Sequence, residues 1–218
     1  MPLLARHDVL LDLHSFRGSG KPFVFIGPPN NDGPIEPFRF AAEEQGLAAR
    51  LGVHRVVDGW LSTYAGGVAR RRGRATAGAP GIDDALYGFG TTEYMRTVGG
   101  WGMTLECGFH EDPDAEHVAY QAIRNALTHL RLTDGDQPQP VSGLECLHLC
   151  EVVDRRDAGD RFVQPWSSFE PVAQGQEIAE RGNGEKVVSP FDGCIVFPNP
   201  DAALGTEWFY LARTSTRL

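Results

Sequence analysis

Positive charge is in short supply. Twenty Lys and Arg against 29 Asp and Glu leave a formal charge of -9 over 218 residues. With no basic stripe to offset it, that balance excludes a general nucleic-acid binder, which needs cations clustered against phosphates. Cysteine is scarce too: the four, Cys107, Cys146, Cys150 and Cys194, form neither CxxC pairs nor the density of a disulfide scaffold. Reduced thiols and a cytoplasmic setting are the expectation. No apolar run approaches the length of a membrane span, and Arg6, His7 and Asp8 interrupt any apolar leader, so no membrane contact is expected. Internal repeats and low-complexity tracts are missing as well. What is present, 41% hydrophobic residues with 10% aromatics, suffices for a sizeable core and points to two domains.

Apolar runs alternate with helical patterns in the first part of the chain. Val9-Leu10-Leu11 reads as a buried strand, Phe23 to Ile26 as a second, and Val53 to Val57 as a third. Phe38 to Leu51 is helical in pattern, with Gly52 placed after its end. From Thr63 to Gly90 the sequence reads as a glycine-rich loop carrying Arg70-Arg71-Arg72-Gly73-Arg74. Such a run is expected to be solvated or, in an acidic protein, to draw an anionic substrate. Trp101 to Cys107 is the next buried strand. Asp112-Pro113-Asp114 then opens a helix whose apolar stripe runs from Val118 through Ala122 and Ala126 to Leu130. These elements predict an α/β domain over residues 1–132. Residues 133–142 (TDGDQPQPVS) are a linker by composition. Residues 143–218 change to short strands between turns and predict a small all-β barrel or sandwich domain.

Three segments could carry chemistry. Asp12 and His14 lie two apart at the end of a strand and share a face, so the carboxylate can brace the imidazole of a metal ligand. Glu106 interrupts the apolar strand Met103-Thr104-Leu105-Glu106-Cys107. A carboxylate buried there is paired, metal-bound or protonated, and its pKa rises. That suits a general base acting on a water; the alternative is an ion pair with Arg96. The segment from His110 to His117 tempts a metal reading, but seven helical residues rise about 10 Å, too far to share one ion easily. A catalytic zinc takes three protein ligands and an open position, and His14 alone supplies one.

These residues match a family. Val9 to Ser15 followed by Pro22-Phe23-Val24 resembles the third-ligand segment of the succinylglutamate desuccinylase/aspartoacylase family of carboxypeptidase-like zinc amidohydrolases. Thr104 to Gly108 resembles the strand of its catalytic glutamate. Val188 to Gly193 with Gly205 to Phe209 resembles its C-terminal β domain. The resemblance implies a carboxypeptidase-like α/β/α sheet, N-terminally truncated, followed by the β domain. It implies His14 as a zinc ligand, Glu106 as general base and Arg96 as the grip on a substrate carboxylate. Implied substrates are N-acyl amino acids or similar small carboxylates. The family opens with a block holding an HxxE pair, which gives the other two zinc ligands, and an Asn-Arg segment; this sequence begins just after it. Two functions follow as expectations: a zinc-dependent amidohydrolase, or a catalytically incomplete chain that binds or needs a partner chain. A sheet short of N-terminal strands exposes an edge, which predicts a homo-oligomer or association with a chain covering that edge.

Overall fold

A computed structural model describes residues 2–73 and 88–218. Eight strands form one mixed sheet. In chain order the strands that enter it are β1 (Val9–Phe16), β2 (Phe23–Phe25), β3 (Arg55–Asp58), β4 (Trp101–Phe109) and β5 (Glu145–Asp154). A second, three-stranded sheet joins β6 (Arg161–Phe162) to β8 (Glu177–Glu180) and β9 (Lys186–Val188). The strands β7 (Pro171–Val172), β10 (Gly193–Val196) and β11 (Glu207–Thr214) return to the large sheet, whose order is β1-β4-β2-β3-β5-β11-β10-β7. Pairings β1–β4, β2–β3 and β3–β5 are parallel and β2–β4 is antiparallel, whereas everything beyond β5 is antiparallel. The strand that follows the linker thus adds directly to β3.

Alternation sorts the side chains of the first strands. Leu11, Met103, Leu105, Val24 and Val56 join a core with Leu47, Ala48 and Leu51 and with Ala122 and Ala126. These come from helix α1 (Ala41–Ala48), its C-terminal turn and helix α4 (Ala115–His129), which realises the stripe read from the sequence. Asp12, His14, Thr104 and Glu106 therefore project to the opposite face. A second core there gathers Phe16, Phe23, Val57, Leu149 and Tyr210. A third, with Trp166, Ile178, Ile195 and Trp208, draws on both sheets. The expected β unit is present as this packing of two sheets, but four of its strands extend the large sheet.

One expectation is corrected. Residues 63–73 are not loop: helix α2 spans Trp60–Gly73. Leu61, Tyr64 and Val68 are buried along one stripe, and Gly67 lets the helix meet β5, since a Cβ there would sit 2.5 Å from Val152 Cγ1. Arg70 and Arg72 are exposed, as a solvated run would be, whereas Arg71 is withdrawn from solvent. Arg71 reaches Asp154 (2.6 Å) and Glu207 (3.1 Å), and Arg70 reaches Glu151 (2.7 Å). Arg74 and the rest of the expected loop up to residue 87 lie outside the described residues. A further helix, α3 (Thr91–Thr97), is short and polar, packs on β4 and β1, and is announced by no apolar periodicity. Among the described residues no helix is long and apolar enough to cross a membrane.

Candidate active site

The strands place the predicted side chains together. In the β1–β4 register His14 stands beside Glu106, and Asp12 beside Thr104. His14 Nε2 lies 3.3 Å from Asp12 Oδ2, the bracing expected from their spacing. The Thr91 hydroxyl at the start of α3 donates to the same carboxylate oxygen. His14 and Glu106 line a cavity of about 710 Å³ that also takes in Phe25, Trp60, Phe197 and the loop through Pro34 and Ile35. The aromatic wall is contiguous, with Phe25 centroids 5.5 Å from Trp60 and 6.0 Å from Phe197.

Glu106 is the anomaly the sequence promised. It is 7% exposed, and its Oε2 has no hydrogen-bond partner among the described residues. Burial pushes its pKa up to about 7; the nearby His14 opposes the rise and Asp12 adds to it. The ion pair with Arg96, the alternative at the sequence level, does not form. Arg96 does reach the cavity wall, but its donors are occupied. Its Nε donates to Glu44 Oε1 (2.9 Å), its Nη1 to Glu36 Oε1 (2.6 Å), and its Nη2 to the Gly102 carbonyl (2.7 Å). Glu93 lies 3.6 Å away. Burial pushes the Glu36 carboxyl up to about 7 against the pull of Arg96. His110 stays outside the cavity wall, hydrogen-bonded to Ser15 at 2.9 Å.

Sequence reading misses the other polar end of the cavity. Asp58 at the end of β3 pairs with His148 on β5, Oδ1 to Nδ1. Its other oxygen accepts from Arg217 Nη1 at 2.6 Å. Hydrogen bonds from His148 and Arg217 hold Asp58 below the usual carboxylate range despite its burial, and the Asp58 bond raises the His148 pKa. The backbone of Gly27 joins this group to the Arg96 network. Its N–H donates to Glu44 Oε2 (2.7 Å) and its carbonyl accepts from Arg217. A Cβ at Gly27 would overlap the Arg96 guanidinium, so only glycine fits.

One signal for His148 was in the sequence: His148-Leu149-Cys150-Glu151 is itself an HxxE. Here it lies on a strand of the sheet, with His148 tied to Asp58 and Glu151 to Arg70. Among the described residues no three His, Cys, Asp or Glu side chains are close enough to share a metal ion. The donors present thus fit zinc only in part, as one braced imidazole beside an unpartnered carboxylate oxygen.

No protein-family model matches the chain, and no curated protein does. Solved structures do. A succinylglutamate desuccinylase/aspartoacylase from Rhodobacter sphaeroides matches with a TM-score of 0.65 at 14% identity, over 98% of this chain and 60% of that one. The product-bound ectoine utilization protein EutE (DoeB) from Ruegeria pomeroyi gives 0.62 at 17% identity, over 97% and 60%. A succinylglutamate desuccinylase from Vibrio parahaemolyticus gives 0.57 at 14%, over 96% and 54%. The chain spans about 60% of the length of the first two structures. At these identities the likeness is one of architecture: the chain has the fold of the succinylglutamate desuccinylase/aspartoacylase structures.

Proposed function

We propose that the chain carries the base-bearing part of a hydrolase site that deacylates N-acyl amino acids or similar small carboxylates. The observation that carries this reading is Glu106: buried, lacking a partner for Oε2, and in register with a braced histidine on the wall of an aromatic cavity. A carboxylate with its pKa near 7 can take a proton from water at neutral pH and return it to a leaving amine. Asp12 fixes the His14 ring, as a carboxylate does behind a metal-bound imidazole. His14 would be one ligand of a zinc ion, which supplies Lewis-acid polarisation of an amide carbonyl when bound. Phe25, Trp60 and Phe197 offer an apolar surface to the acyl group or side chain and keep water off it.

The lack of a three-ligand cluster among the described residues favours a second reading, in which a partner chain completes the site. His14 lies on β1, the edge strand of the sheet as described, where such a partner or a second copy could reach it.

Amine release from a panel of N-acetyl and N-succinyl amino acids, measured with and without added zinc, tests the first reading. Glu106→Gln is expected to lose on the order of 100-fold or more in turnover. Equal turnover by Glu106→Gln, or none by the parent chain with zinc present, sinks it. Elemental analysis separates the two: stoichiometric zinc in the isolated chain counts against the partner-completed site.

A further inference from the structure

The proposed reaction needs a cation for the carboxylate of its substrate, and Arg96 has given its donors to Glu44, Glu36 and Gly102. A different group at the cavity wall keeps a nitrogen free. His148 is seated on Gly59, where a Cβ would lie 2.8 Å from both the ring Cε1 and the Leu149 carbonyl. Gly59 itself takes a left-handed φ of +83°, so the position suits glycine on two counts. Asp58 pins Nδ1, which leaves Nε2 as the nitrogen available to a ligand in a side chain that is 48% exposed.

Among the described residues, two charged groups act on His148 and a third is its strand neighbour. Asp58 comes from β3 and Arg217 from the C-terminal segment, while Arg213 is its register partner on β11 and lies over the Phe191 ring at 3.9 Å. Both oxygens of Asp58 are taken, one by His148 and one by Arg217. One negative charge is therefore shared by two cations once His148 is protonated, and the cluster carries an excess positive charge. Asp58 also favours that protonation.

We propose that His148, held by Asp58, binds a carboxylate oxygen of the ligand through its Nε2–H, with Asp58 as its positioning residue. A charge-assisted hydrogen bond of this kind gives both affinity and orientation. His148 and Glu106 both line the cavity, on strands three apart in the order β4-β2-β3-β5. The inference rests on the deacylase reading only for the identity of the ligand.

Calorimetric titration with N-acetylglycine and with its neutral analogue N-acetylglycinamide, at pH 6 and pH 9, is the test. The parent chain is expected to bind the acid more tightly than the amide, and more tightly at pH 6 than at pH 9. His148→Gln should weaken acid binding roughly tenfold or more. Asp58→Asn should move the loss of affinity to lower pH, a change that mere loss of packing does not produce. The ring nitrogen resonances of His148 in the parent chain should shift on adding the acid. Equal affinity for acid and amide, unchanged binding in His148→Gln, or no binding of the acid at either pH overturns the inference. Binding without hydrolysis removes the deacylase reading and leaves this one. Hydrolysis with an unchanged KM in His148→Gln does the reverse.

Discussion

At the scale of single residues, burial decides which carboxylates can act. Glu106 and Glu36 both have their pKa pushed to about 7, so the folded chain keeps two protons that an unfolded chain sheds nearer 4.5. Their effect on stability is most favourable at low pH and declines as pH rises from about 4.5 to 7. Glu106→Gln removes one share of that decline. It should match the parent in urea unfolding at pH 4 and exceed it by about 1–2 kcal/mol at pH 8. A constant offset at both pH values would contradict the assignment. Glu106 was legible in the sequence because a carboxylate in an apolar strand is conspicuous, and Asp12-Leu13-His14 because alternation fixes its faces. Arg96 was legible as a residue but not in its partners, since Glu44 and Glu36 approach it from 52 and 60 positions away. Asp58 and His148 stand 90 residues apart and meet only through the β3–β5 register.

Elements were legible where apolar period alone builds them. β1, β4 and α4 follow their patterns, whereas α2 hides behind Gly66, Gly67 and its arginines. Its place is set by tertiary contacts: the glycine gap over Val152 and the pairs from Arg70 and Arg71 to β5 and β11. Two neighbouring substitutions separate packing from propensity. Gly67→Ala drives a methyl into Val152 and should cost about 1–3 kcal/mol in urea unfolding. Gly66→Ala meets nothing closer than Arg70 Nη1 at 3.8 Å and should be neutral or stabilise by about 0.5–1 kcal/mol. Equal effects at the two positions would show that α2 does not pack through Gly67. Arg71→Ala strands the buried Asp154 without that arginine and should cost about 3 kcal/mol.

For the molecule as a whole, the linker at 133–142 joins stretches that share one sheet, because β5 pairs with β3 on one side and β11 on the other. Composition marks the linker but says nothing of where the next strand docks, which is why sheet continuity was invisible in the sequence. Trp60 and Trp101 lie before the linker and Trp166 and Trp208 after it. Trp→Phe variants that leave emission from one side only should unfold in urea with coincident midpoints. Separate midpoints would show that the two stretches fold independently despite the shared sheet.

Gly27 gives that shared sheet a further consequence. Its amide is bonded to Glu44 and its carbonyl to Arg217, so a single residue links the clamp on Arg96 to the support of Asp58. Ligand preference at His148 therefore cannot be retuned one position at a time. Substitutions at 27, 96 and 217 will be non-additive, and a variant library that samples them singly will miss the combinations that work.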